Sequence, residues 1–391
     1  MTAWTLPDQI SDLLPPEAAV FERLRRRLID LYGGYGYQLF MPPLVEYAES
    51  LRVTGAHDLE RRSFKLTDAA SGRLLGLRAD ITPQAARVDA HLLGESGLSR
   101  LCYAGPVVHA EAASLLAHRE PFQVGCELFG HAGLEADLEI QELALASLDA
   151  AGLASVHLDL TDRSIFLALR EQDPGLVRHE DRVLDALRWK DRTALRSLSS
   201  GLAPETLRLC ESLMALYGPA TGAGGVIERA RAALPQTDAI AAAIDRLEAV
   251  AQSALFVRHP SCQLTIDLAD LAGWRYHNGI MFSIHCPGVP DAVVRGGRYD
   301  GVGEAFGRAR PATGFSLELR SLAALALQSG RVQADRVPVA APWQDDASLQ
   351  EAIAALRAEG RVVVQLPSAG LGAWSGPCLK RVSGQWALVD I

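Results

Sequence analysis

A chain of 391 residues and 42.0 kDa exceeds the usual size of one compact domain, which predicts a main body plus an insertion or appended unit. Hydrophobic residues at 49% and charged residues at 22% exclude general disorder, and a formal charge of -9 argues against a protein whose main task is gripping a phosphate backbone. Six scattered cysteines without a Cys-x-x-Cys pair suggest neither a zinc cluster nor a disulfide framework and fit a reduced cytoplasm, while the absence of a long apolar run or a basic-then-apolar leader speaks against membrane spanning and secretion.

The first long helix is predicted after Pro15-Pro16, with Val20, Leu24 and Leu28 at helical spacing and Gly33-Gly34 as its stop. Its arginines, Arg23 and Arg25 to Arg27, read as a solvated face. The stretch Tyr35 to Glu46 reads as a strand that ends at the double proline Pro42-Pro43. Ser63-Phe-Lys-Leu and Leu74 to Arg78 flank a turn, and further strands are expected at 100–103, 123–129, 156–160, 263–267 and 280–285. A helix is expected from Glu135 to Ala151, closed by Gly152. Residues 176–257, rich in Ala and Leu, read as an all-helical insertion. The tail from 332 to 391 reads as a small charge-balanced α/β unit with a hairpin at Ser383-Gly384. This order of elements predicts an α+β fold around a largely antiparallel sheet flanked by helices.

Three stretches in one order carry more. They are Leu77-Arg-Ala-Asp-Ile-Thr-Pro83, then Gly105-Pro through Gln123-Val-Gly-Cys-Glu127, then Arg295-Gly-Gly-Arg-Tyr-Asp-Gly301 followed by a Gly-Phe-Ser-Leu segment read as a helix start and ending at Arg320. Over residues 8 to 325 the chain resembles the catalytic core of histidyl-tRNA synthetases, which are class II aminoacyl-tRNA synthetases. By that resemblance Asp80 and Thr82 face an α-ammonium group, Gln123 a polar end of the ligand, Glu127 an imidazole N–H, and Tyr276 lines the pocket. His277 replaces a ring-contacting tyrosine.

The same resemblance exposes three departures. His109 stands where the family has its first motif arginine, Ala272 where it has the histidine-specific arginine, and Ser321 where an arginine stacks on the nucleotide. Losing one charged hydrogen bond to a developing anion costs about 3 to 4 kcal/mol of barrier, so three such losses leave negligible adenylation. Arg295 and Arg298, flanking a glycine pair, read as structural residues of a tight turn. No catalytic set, cofactor loop or metal-ligand spacing is evident.

A synthetase core without its activating cations, ending in a short tail, resembles the regulatory-subunit family of ATP phosphoribosyltransferase. That resemblance implies a non-enzymatic chain that activates a separate short catalytic subunit in histidine biosynthesis and takes part in feedback inhibition by histidine. It further implies a self-dimer around residues 17–43 inside a hetero-oligomer, with no tRNA and no membrane partner. The loop from Ala110 to His118, uncharged but for Glu111, is a candidate partner surface. The competing readings are a divergent active synthetase, in which Arg119, Arg275 and Arg320 replace the lost cations, and a free-standing histidine sensor.

Overall fold

The computed structural model describes residues 4–51, 62–93, 97–112, 114–115, 117–153, 155–271, 276–330 and 337–390. They fall into two compact units, Met1–Ser329 and Gly330–Ile391.

In the first unit the strands are β1 (Gln38–Leu39), β2 (Val45–Tyr47), β3 (Lys65–Thr67), β4 (Leu74–Leu77), β5 (Ser99–Pro106) and β6 (Phe122–Phe129). They continue as β7 (Val156–Asp162), β8 (Tyr217–Pro219), β9 (Cys262–Asp267), β10 (Ile280–His285), β11 (Val294–Arg298) and β12 (Ala312–Glu318). Nine form one sheet in the order β1-β5-β6-β12-β11-β10-β7-β9-β8. The pairs β1–β5 and β7–β9 are parallel, and the other pairs are antiparallel, as a largely antiparallel body requires.

Side chains alternate across a strand, so the register sorts residues onto two faces. One face carries Val124, Cys126, Phe315, Leu317, Val294, Phe282 and Ile284, all buried. It is covered by the helices Glu17–Gly34 and Leu134–Ala150, the first contributing buried Val20, Leu24, Leu28 and Tyr32. Tyr32 fixes this packing, with its hydroxyl 3.0 Å from Ser147 Oγ and its ring edge-on to Phe315 at 5.9 Å. The opposite face is polar. Gln123 and Glu127 on β6, Ser316 on β12, Arg295 on β11, Ser283 on β10, and Asp159 and Thr161 on β7 lie along it, strand beside strand.

Four sequence expectations need correction. The strand from Tyr35 to Glu46 is two short pieces in different sheets, because Pro42-Pro43 cannot donate to a ladder and the chain leaves the main sheet there. The Gly-Phe-Ser-Leu segment is strand β12, and the helix Leu319–Gln328 starts only after Glu318, whose carboxylate accepts from Arg320 N at 3.1 Å and Ser321 N at 2.7 Å. Gly296-Gly297 lies in strand β11 rather than in a turn. The close approach is real, since a Cβ at Gly296 would sit 2.6 Å from Gly314 O and from the Phe282 ring. Finally, residues 176–257 are not wholly helical: the helices Pro174–Arg178 through Leu255–Arg258 are interrupted by β8, which pairs with β9 and joins the main sheet.

The second unit is a four-stranded sheet in the order β14-β13-β15-β16, with β13 (Val339–Pro342), β14 (Val363–Leu366), β15 (Cys378–Val382) and β16 (Gln385–Val389). Asp346 caps the helix Ala347–Ala358 by accepting from Ser348 N at 2.9 Å and Leu349 N at 3.2 Å. That helix buries Leu349 and Ile353 against Val339, Ala341, Val363 and Leu379. The β15–β16 hairpin turns at Ser383-Gly384 through two positive-φ residues. Among the described residues no helix is long and apolar enough to cross a membrane.

Candidate functional site

The five residues assigned to an amino-acid pocket converge at one end of the polar face. Asp80 follows β4 at the start of the helix Thr82–Val88, where its Oδ1 accepts from Thr82 N at 3.4 Å. Tyr276 OH donates to Asp80 Oδ2 at 3.1 Å, and Gln123 Oε1 accepts from Ile81 N at 3.1 Å. From the other side of the turn, Thr82 Oγ1 donates to Glu127 Oε1 at 2.7 Å. Asp80, Thr82, Gln123, Glu127 and Tyr276 are therefore one buried network.

Two residues not singled out in the sequence complete it. Tyr103 OH donates to Glu127 Oε1 at 3.1 Å, and Tyr299 OH donates to Glu127 Oε2. Tyr299 lies inside the Gly-Gly-Arg-Tyr-Asp-Gly motif, so that signal was present. Tyr103 had only its place in β5, opposite Gly125, whose missing side chain leaves room for the ring: a Cβ there would sit 2.6 Å from Tyr103 OH. Gly314 does the same for Glu127, since a Cβ would sit 1.7 Å from Oε2.

Burial pushes Glu127 up to about 8 against the pull of its three hydroxyl donors, and burial likewise raises Asp80. No cation among the described residues lies within ion-pair range of either carboxyl. Arg78, the buried guanidinium nearby, is spent on carbonyls: Nε donates to Pro106 O at 2.8 Å and Nη1 to Pro42 O at 2.8 Å. It also explains Gly105, where a Cβ would sit 2.4 Å from Arg78 Nη2. The pocket is thus acidic, lined by hydroxyls and aromatic rings, and suited to a ligand that brings positive charge or N–H donors. His277 is buried, stacked on Tyr276 at 4.9 Å and edge-on to Tyr299 at 6.2 Å.

The positions that should hold a triphosphate have other employment. His109 is buried, with Nε2 2.9 Å from Ala79 O, and burial lowers its pKa, so a neutral ring donates to that carbonyl and braces the Ala79-Asp80 turn. Ser321 serves through its backbone N–H in the Glu318 cap. Ala272 and Arg275 lie outside the described residues. Of the two other cations that a divergent synthetase would need, Arg119 Nε donates to His109 O at 3.1 Å with its guanidinium over the Phe64 ring, and Arg320 Nη2 donates to Ser11 O at 2.7 Å. Arg298 is structural: it pairs with Asp137 at 2.9 Å and donates to His131 O and Gly133 O at 3.2 Å, which fixes the start of the helix Leu134–Ala150.

Residues 9–322 match the family model described as histidyl-tRNA synthetase, and residues 336–389 match the one described as ATP phosphoribosyltransferase subunit HisZ C-terminal domain. A Ralstonia pickettii protein named ATP phosphoribosyltransferase regulatory subunit is 52% identical over 364 residues, covering 93% of this chain and 91% of that protein. A protein of the same name from Cupriavidus pinatubonensis is 54% identical over 364 residues with the same coverage of both, 93% and 91%. A solved structure from Bacillus halodurans, described as an ATP phosphoribosyltransferase regulatory subunit/histidyl-tRNA synthetase, superposes with a TM-score of 0.78 at 26% identity, over 95% of this chain and 94% of that one. A histidyl-tRNA synthetase from Nostoc sp. PCC 7120 shares the fold at 18% identity, with a TM-score of 0.76 over 99% of this chain and 97% of that one.

Proposed function

Because this chain belongs to the family of ATP phosphoribosyltransferase regulatory subunits, built on a histidyl-tRNA synthetase-like core, we propose that it holds histidine in the Asp80–Glu127 pocket and conveys that occupancy to a catalytic partner. The protein is a non-catalytic regulatory subunit of that phosphoribosyltransferase and serves histidine biosynthesis. In the proposed pose the α-ammonium meets Asp80, Thr82 and Gln123, and the imidazole N–H meets Glu127, with Tyr276 alongside. The single observation that carries the reading is the pairing of an intact acidic pocket with diverted cations: Asp80 and Glu127 have no ion-pair partner among the described residues, while Arg119 and Arg320 are bonded to backbone carbonyls.

Feedback requires histidine to bind two arrangements of the complex unequally, since equal affinity shifts nothing. The partner is a separate short catalytic chain. The loop from Ala110 to His118 forms part of its docking surface in this reading, and Leu115, 90% exposed, is the apolar tip. Self-association runs through residues 17–43, and no tRNA is charged. Calorimetric titration with L-histidine, of the chain alone and then of the complex, tests the pocket. One binding event in the chain alone, lost in Asp80→Asn, is expected; binding that survives this change, or that occurs only in the complex, would move the inhibitor site elsewhere.

A further inference from the structure

Beyond His277 the polar face opens into a second, solvent-open cleft over β7, β10 and β11. It is not part of the Asp80–Glu127 network. Its floor follows from the register: Thr161 lies opposite Met281, and Ser283 lies between Asp159 on one side and Arg295 on the other. Two strand spacings separate the backbones of Asp159 and Arg295 by about 10 Å, and both side chains project from the same face, leaving a gap of small-molecule width.

Two observations point to a ligand. Thr161 is 4% exposed, lines the cleft, and its Oγ1 makes no hydrogen bond, a cost a folded chain seldom carries without an occupant or water. Arg295 lines the opposite wall with no hydrogen-bond or ion-pair partner among the described residues. Across from it, Asp159 is engaged chiefly through Oδ1, which accepts from Thr265 Oγ1 and lies 3.1 Å from His157 Nε2, whereas the nearest partner of Oδ2 is His285 Nε2 at 3.7 Å, too long for a hydrogen bond. Asp267, also in the lining, is neutralised by Lys190 Nζ at 2.7 Å. One wall therefore offers the Arg295 guanidinium, and the cleft also holds the carboxylates of Asp159, whose Oδ2 has only the distant His285, and Asp270. A simple anion would face Asp159, and a simple cation would face Arg295. Only a molecule carrying both charges satisfies both walls.

We propose that this cleft is a second binding site, for a small zwitterion of the α-amino-acid class, with its carboxylate on Arg295 and its ammonium between Asp159 Oδ2 and Thr161 Oγ1. The site does not depend on what fills the Asp80 pocket. The test is calorimetric titration of the full chain with each proteinogenic amino acid, with acetate and methylamine as single-charge probes. It is repeated in Asp80→Asn, Arg295→Met and Thr161→Val, whose folding is checked by circular dichroism. At least one amino acid other than histidine should still bind in Asp80→Asn and lose about tenfold or more in affinity when Arg295→Met is added, with a smaller loss for the near-isosteric Thr161→Val. Acetate and methylamine should not compete. If all binding disappears in Asp80→Asn and none responds to Arg295→Met, the second site is overturned while the first stands. Competition by acetate or methylamine at the same affinity would overturn the zwitterion, and binding of no amino acid at all would overturn both sites.

Discussion

Glu127 shows how burial can set the protonation of a single side chain. Its carboxyl is held up to about 8 by burial, so the folded state binds a proton that the unfolded chain, with the ordinary value of 4.5, releases. Stability from this group is complete below about 4.5 and is lost as pH rises through about 8, and the raised Asp80 acts in the same direction. His109 acts oppositely: its pKa is lowered by burial, so its contribution is lost as pH falls below the ordinary 6.5. Glu127→Gln imitates the protonated acid. Urea unfolding of this variant between pH 5 and 8 should show a flatter profile than the wild type, with most of the difference above pH 6, and its affinity for L-histidine should fall by about tenfold or more. A parallel profile would show that Glu127 titrates normally. At His109, replacement by Ala leaves the buried Ala79 carbonyl without its donor, and a loss of about 1 to 3 kcal/mol is expected from the same unfolding measurement.

Among elements, the β6–β12 pair leaves little room for change, whereas Leu115 in the loop from Ala110 to His118 is 90% exposed. Glu127 lies across Gly314, and Cys126 O would also sit 2.6 Å from an added Cβ there, so Gly314→Ala must displace backbone as well as carboxylate. Destabilisation of about 1 to 3 kcal/mol or more is expected, with the loss of histidine binding exceeding that of Glu127→Gln. The loop is instead tethered from outside: Gln9 Nε2 donates to Ser114 O at 3.1 Å and Leu115 O at 3.0 Å, and Ser114 Oγ donates to Asp291 at 2.8 Å. These bonds use the backbone of Leu115 and leave its side chain in water. Leu115→Asp should therefore shift stability by no more than about 0.5 kcal/mol while weakening assembly with the catalytic chain, read by sedimentation of the mixed subunits. Unchanged assembly would remove the loop from the docking surface.

For the whole molecule, a synthetase fold survives where synthetase catalysis does not, because the two depend on different residues. The apolar sheet face and its covering helices need only volume and register, and the polar face is free to change. Histidine-dependent ATP–pyrophosphate exchange by the purified chain should be absent, and the activity of the short catalytic chain should rise on mixing and fall again with histidine. Exchange activity would show that displaced arginines reach a nucleotide after all.

Chain order and periodicity settled much in advance: the helix of Val20, Leu24 and Leu28, the strands at 123–129 and 280–285, and the C-terminal hairpin; the grouping of Asp80, Thr82, Gln123, Glu127 and Tyr276 was implied only by the family resemblance of their motifs. These are local patterns or fixed spacings, which a linear string carries. The fate of Tyr35 to Glu46, the entry of Tyr217–Pro219 into the main sheet, and the partners of Tyr103, Arg78, Arg119 and Arg320 were decided only by folding. Each depends on contacts between residues tens to hundreds of positions apart, and a side chain's hydrogen-bond partner is fixed by which strands lie side by side.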